Sequence, residues 1–433
     1  MMKVIKIIGA GLAGCEAAWQ LSKAGYKVKL YESKTIEKNE IQKLETIAEL
    51  VCSNTLRSKS IKNAVGILKK EMELFDSLII EAAIKTQIPS DDALAVDRIN
   101  FSNYIQDKIK KDKNIELINE VIETIDDENE ITIIATGPLT SDRFNNEIQR
   151  IIGNQKFYFM DASAPIVKKS SINFEKLYYA TRHKGEGNYI CVPLNEEQFD
   201  NFRNELINGE VVKTKEFENE VFFKGCQPIE HMAKTGRNVL LNGSLSPNNL
   251  EDKDGKIPYA VVQLRQDDAI DSLYNFVGFQ TNLKWPEQLR ILKTLPGMEN
   301  INIVRYGVMH KNKYINSPKI LNHKLQVKRK RNVFFAGQIT GVEGYVESAM
   351  CGIVAAMGVV SLVENKKMDP LPQDTLMGAL IKYVTNENLK KFNPMKANMG
   401  ILQHVGIKKS EMPDDWTYTN SMSKMKNYIS NKK

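Results

Sequence analysis

Hydrophobic residues cluster in short runs near both ends of the chain, with a more mixed stretch between them. Residues 4–8 form a β-branched run that predicts a buried strand. It leads into Gly9-Ala10-Gly11-Leu12-Ala13-Gly14, then into residues 15–21, which are rich in helix formers, with Gly25 closing the helix. Residues 28–31 predict a second strand finishing on Glu32. Residues 64–83 alternate apolar and charged positions at helical spacing and predict one long surface helix. Residues 93–98 predict a strand that leads to a helix over 100–109. Residues 115–118 and 121–125 predict a pair of strands. Residues 131–134 predict a buried strand running into Ala135-Thr136-Gly137.

From about residue 178 to 305 the pattern shifts to strand-like runs broken by polar loops, for example 189–192, 239–241, 259–264 and 274–279. This predicts a mixed α+β insertion built mostly on antiparallel sheet. Cys226 stands in this stretch at a predicted strand-to-turn junction, after Gly225 and shortly before Pro228. Residues 332–338 predict a further buried strand, ending in Ala336-Gly337-Gln338. A loop containing Gly341 then opens a long apolar helix. Beyond residue 364 the chain reads as helical and lysine-rich, with an amphipathic segment over 375–384.

Strand, glycine turn, helix, strand and acid together make a dinucleotide-binding unit. Gly9 permits the tight turn, Gly11 lets backbone approach a pyrophosphate, and Gly14 lets helix and strand pack closely. The turn Gly9-Ala10-Gly11-Leu12-Ala13 is expected to bind the cofactor, with the helix N-terminus offering unpaired N–H groups and partial positive charge to the phosphates. Glu32, roughly twenty residues on, stands where a carboxylate accepts ribose hydroxyls. The N-terminal motif is silent on NAD against FAD. The second cofactor-like segment near the C-terminus selects FAD, with Thr136, Gly137, Gly337, Gln338, Gly341 and Tyr345 as further contacts. The expected fold is α/β: a doubly wound, Rossmann-like FAD-binding domain over 1–177 and 306–433, interrupted by the α+β insertion over 178–305.

The 433 residues, 42% hydrophobic and 26% charged, suit a globular enzyme. A net charge of +7 fits either a lysine-rich surface or a face for a polyanion such as RNA. Five cysteines without paired spacing argue against a disulfide framework, and no Cys/His cluster suggests a metal. The N-terminus has no signal-peptide pattern, and the apolar stretch over 352–363 is shorter than a bilayer span, so a cytoplasmic protein off the membrane is expected. Cys52 has Arg57 nearby, but the residues alone favour packed thiols at both Cys52 and Cys226.

Taken together, residues 9–14, 16–20, 48–58, 93–98, 135–139, 225–226, 228–230, 259–268, 305–310 and 335–348 resemble the folate- and FAD-dependent tRNA (uracil-5-)-methyltransferases. These are relatives of the larger FAD proteins that modify wobble uridines. The resemblance implies a carbon donated by 5,10-methylenetetrahydrofolate, bound FAD, NAD(P)H as reductant and RNA as substrate. It reverses the packing reading of two thiols: Cys226 becomes the nucleophile that adds to carbon 6 of uracil, and Cys52 the base or partner thiol. Tyr345 matches an aromatic stacked near the flavin ring. Cys15, Cys191 and Cys351 match no role and are expected to be packing.

The sequence departs from the family pattern at residues 42–47, at Gln227 and at 242–247, all on the expected substrate side. The tRNA T-loop is the favoured target, and a uridine of 23S ribosomal RNA is the alternative. An FAD oxidoreductase without RNA methylation, or a non-catalytic RNA-binding factor, are the competing classes. Nothing in the sequence demands more than a monomer, and the oligomeric state stays open.

Overall fold

The computed structural model describes residues 3–37, 41–125, 130–153, 156–182, 188–212, 227–252, 254–402 and 415–431. A five-stranded parallel sheet carries the first unit, in the order Val333–Phe335, Ile131–Ile134, Val4–Ile8, Lys27–Glu32, Ile115–Asn119. Strands from both ends of the chain are neighbours in it, so the sheet closes only when residues beyond 330 return to the N-terminal half. The Leu12–Lys23 helix packs against the Tyr345–Val363 helix. A side chain at Gly352 would collide with the backbone of Ala13 and Ala17, so the two helix backbones nearly touch.

The second unit is a six-stranded antiparallel sheet, in the order Tyr178–Ala180, Tyr189–Leu194, Ala260–Gln266, Leu273–Phe276, Ile166–Lys168, Ile303–Arg305. Its core runs from Val167 to Ile303 and is separate from the core of the parallel-sheet unit. The boundary expected at 178 therefore falls inside this sheet. Ile166–Lys168 pairs with strands on both sides, a partnership set by residues more than 100 positions away.

Three local expectations give way to tertiary packing. The helix expected over 64–83 is two helices, Ala64–Glu73 and Leu78–Lys85, and both are largely buried. Asp76 takes a left-handed φ of 51° and Ser77 caps the second helix, accepting from the N–H of Ile80. The Leu376–Val384 helix, expected to be amphipathic, and the Trp416–Ser430 helix cover the Ala64–Glu73 helix. Residues 121–125 form no strand; Ile115–Asn119 pairs instead with Lys27–Glu32, in parallel. Residues 239–241 are helical, within Arg237–Leu241, because three apolar residues are too few to reveal a period.

The apolar helix runs Tyr345–Val363 and takes in the whole 352–363 stretch. At 19 residues it is long and apolar enough to cross a bilayer, but 72% of its apolar window is buried inside the molecule. Here it serves as a core helix.

Candidate functional site

A cleft of ≈ 420 Å³ opens at the C-terminal ends of the parallel strands, where open α/β sheets bind their ligands. Of the thirteen residues expected to bind the cofactor, eleven line it: Gly9, Ala10, Gly11, Leu12, Ala13, Glu32, Thr136, Gly137, Gly337, Gln338 and Tyr345. Gly14 and Gly341 do not. A side chain at Gly14 would collide with the carbonyl oxygen of Gly9, so this glycine serves helix-to-strand packing, as the motif predicts. A side chain at Gly341 would collide with the Phe392 ring, so this glycine makes room for that ring.

The glycine turn is set by sterics on one side and left open on the other. Gly9 has φ +99°, and a Cβ there would lie 2.6 Å from the Ala135 carbonyl oxygen. A Cβ on Gly11 would meet no protein atom within 4 Å, so the protein leaves room above it for a ligand. Gly11 is also the N-cap of the Leu12–Lys23 helix and offers no side chain to the first-turn amides. Those amides and the helix dipole favour a pyrophosphate. Glu32 Oε2 accepts from the Ala10 N–H at 2.8 Å, and Oε1 accepts from the Lys34 N–H at 2.9 Å. The acid that would hold a ribose thus also braces the turn.

Several lining residues were missed by the sequence reading. Val121 and Ile122 reach the cleft because they are loop rather than strand. Lys34 and Glu49 also line it, as a buried ion pair at 2.9 Å; Lys34 Nζ donates to the Thr46 carbonyl too. Ala48 donates its N–H to the Ala10 carbonyl at 2.9 Å from a left-handed φ of 54°. That conformation costs an alanine about 1 kcal/mol. The segment over 41–52 is thereby docked against the glycine turn.

Cys52 lies on this docked segment, one residue beyond the lining residue Val51. Its N–H donates to the Tyr345 hydroxyl at 2.8 Å, and its carbonyl accepts from Arg98 Nη2 at 3.2 Å. Arg98 pairs with Asp267 of the second unit, Nε to Oδ2 at 3.0 Å, and both side chains are buried. Arg305, also from the second unit, donates to the carbonyls of Val51 at 2.7 Å and Ile41 at 3.1 Å. Asn54 completes the join, donating to the carbonyls of Val96 and Gln266 and accepting from Arg265 and Asn275. Burial raises the Tyr345 hydroxyl above its usual pKa, so the phenol stays protonated.

Cys226 lies outside the described residues. Cys15, Cys191 and Cys351 are buried. Burial pushes the Cys15 thiol well up, Cys191 to about 12 and Cys351 to about 11, as suits packing. Among the described residues no cluster of His, Cys, Asp and Glu is arranged to hold a metal ion.

The sequence pattern of the glucose inhibited division protein A family matches residues 4–367. The methylenetetrahydrofolate–tRNA-(uracil-5-)-methyltransferase of Mesoplasma florum is 61% identical over 404 residues, covering 93% of this chain and 91% of its own. A protein of the same name from Mycoplasma mycoides is 57% identical, covering 99% and 98%. That of Bacillus subtilis is 49% identical, covering 94% and 93%. Among solved structures, Aquifex aeolicus GidA superposes with a TM-score of 0.70 at 16% identity, over 98% of this chain and 73% of its own. That likeness supports the shared fold. With a full-length match at such identity, the chain belongs to the glucose inhibited division protein A family, within its methylenetetrahydrofolate–tRNA-(uracil-5-)-methyltransferase branch.

Proposed function

We propose that the protein methylates carbon 5 of a uridine in RNA, taking the carbon from 5,10-methylenetetrahydrofolate, with bound FAD and with NAD(P)H as reductant. The observation that carries this reading is the attachment of Cys52 to Tyr345 at the edge of the dinucleotide cleft. A flavin ring against Tyr345 would then have a thiol-bearing segment beside it. The open space over Gly11, the uncapped amides after it and Glu32 fit an adenine dinucleotide. FAD held there would supply the redox chemistry and the relay of the one-carbon unit.

The remaining tasks fall to the chain's own groups. In this reading Cys226 adds to carbon 6 of the uracil, which makes carbon 5 nucleophilic. Cys52 takes the proton from carbon 5 once the new carbon–carbon bond has formed, and elimination of the Cys226 thiolate restores the ring; the hydride that brings the transferred carbon to the methyl level would come from reduced FAD, which NAD(P)H would regenerate. The clamped backbone around Cys52 limits its freedom, so the base waits near one place. A uridine inside folded RNA must leave its stack to reach such a cleft.

The relatives' names favour tRNA, and we take the T-loop uridine as the target. The test is to incubate FAD-loaded protein with carbon-labelled methylenetetrahydrofolate, NADPH or NADH, and unmodified tRNA or 23S ribosomal RNA. Label in 5-methyluridine of the T-loop is expected. Label only in ribosomal RNA would move the target, and flavin turnover with no label in either RNA would leave an oxidoreductase instead.

A further inference from the structure

The geometry points to Arg98, held by Asp267, as a positioning residue that keeps Cys52 at the edge of the cofactor cleft and favours its thiolate. Three guanidinium groups converge behind the Cys52 segment: Arg98, Arg265 and Arg305. Arg98 and Arg265 are each 8% exposed, and the carboxylate bonded within the group is Asp267, 5% exposed. Arg98 grips the segment at the carbonyls of Leu50 and Cys52, and Arg305 grips it at Val51. Arg265 reaches it through the Asn54 side chain at 3.2 Å.

Among the described residues, the other carboxylates near the group are engaged elsewhere: Asp97 accepts from the N–H groups of Asn100 and Ala269, and Asp268 from those of Ser272 and Leu273. Glu49 is ion-paired with Lys34, and Glu347 with Arg57. Tyr345 stays a neutral phenol. Cation excess in a buried place favours the ionised form of a nearby thiol, whose proton leaves to solvent. Burial by itself would lower the Arg98 pKa. Asp267 outweighs it, so the Arg98 guanidinium stays charged where it bonds the Cys52 carbonyl.

The inference rests on the methyl-transfer reading, but its test needs neither RNA nor folate. FAD-loaded protein is treated with iodoacetamide from about pH 5 to about pH 10, where the thiolate displaces iodide, and carboxamidomethylation at Cys52 is read by peptide mass spectrometry. Arg98→Met should raise the midpoint by about one pH unit, roughly tenfold slower alkylation below it. Arg98→Lys keeps the charge and should keep the midpoint, while losing the paired grip on the backbone. Asp267→Asn should move the midpoint down. Arg305→Met strands no buried carboxylate, so it serves if Arg98→Met loses FAD, and it should also move the midpoint up. Midpoints of Arg98→Met or Arg305→Met equal to wild type in flavin-loaded protein overturn the inference. So does an Asp267→Asn midpoint that moves upward, because simple loosening of the segment would not reverse sign. Normal midpoint shifts without methyl transfer to any RNA would instead count against the function proposed above.

Discussion

The Tyr345 hydroxyl accepts a hydrogen bond from the backbone N–H of Cys52 at 2.8 Å, joining two residues 293 positions apart. Tyr345 opens the long core helix and faces the cleft, while Cys52 ends the segment docked over the glycine turn. One bond therefore ties the expected flavin contact to the expected base. It also separates what the Tyr345 ring does from what its oxygen does.

Tyr345→Phe keeps the ring and removes the acceptor. FAD content should stay near wild type, while the methyl-transfer rate falls about tenfold, the equivalent of one lost hydrogen bond of about 1.4 kcal/mol. Flavin-to-protein absorbance and single-turnover labelling check this. A variant that loses FAD in step with its rate would show that the oxygen serves the cofactor rather than Cys52.

The glycines of the turn should fail in different ways. Gly14→Ala forces a methyl group into the Gly9 carbonyl, a backbone collision that nothing flexible can relieve. It should lower stability of the cofactor-free protein by about 2 kcal/mol or more, read as a lower midpoint in urea. Gly11→Ala adds a methyl group to open space. Its cofactor-free stability should match wild type while FAD affinity drops at least about tenfold, because the methyl occupies the ligand's approach. Equal loss of stability in both variants would refute the assignment.

Two buried groups set opposing pH dependences. Glu71 accepts from the N–H groups of Leu376 and Met377 and from the Ser421 hydroxyl, yet burial outweighs these bonds and raises its pKa from 4.5 to about 7. The folded chain then holds a proton that the unfolded chain has released. Stability from this group is full below the unfolded value of 4.5 and lost as pH rises to about 7. Lys69 is lowered from 10.5 to about 7, by burial first and by Arg57 second. Its unfolded form holds the extra proton, so stability rises between about 7 and 10.5. Glu71→Gln should flatten the acid limb, a change of at most about 3 kcal/mol, and Lys69→Met the alkaline limb. Urea unfolding at a series of pH values measures both, and a wild-type limb that survives its own substitution contradicts the account.

Asn54→Ala should cost about 3 kcal/mol, since it removes a donor from the Val96 and Gln266 carbonyls and an acceptor from Arg265 and Asn275, all in buried surroundings. Thermal unfolding of flavin-loaded protein should show a lower midpoint. Because the lost bonds span both units, Cys52 alkylation should also lose its dependence on Arg98. An unchanged midpoint would mean that water replaces the amide.

Much of the cofactor cleft could be read from residues adjacent in sequence. Gly9 needs a positive φ, Gly14 needs the absence of a side chain, and Glu32 ends the next strand; each demand is local and steric, so the residue type announces it. The strand ends at Ala135 and Ala336 were legible for a similar reason, as β-branched or aromatic runs stopping at glycine. What Gly341 packs against was not legible, because a glycine announces a turn without saying what the turn faces; here one side faces Phe392.

The surroundings of Cys52 were decided only by the tertiary structure. Arg98, Asp267, Arg305 and Tyr345 come from four separate elements, and nothing about an isolated arginine or aspartate says which backbone it will meet. The split at Asp76, the loop character of residues 121–125 and the recruitment of Ile166–Lys168 have the same origin: partners distant in the chain outweigh weak local preferences. The sequence by itself determined a dinucleotide-shaped turn and its acid, because backbone sterics are local. The folded chain decided which thiol-bearing segment stands beside that turn and which charges surround it, because electrostatic partners are assembled by topology.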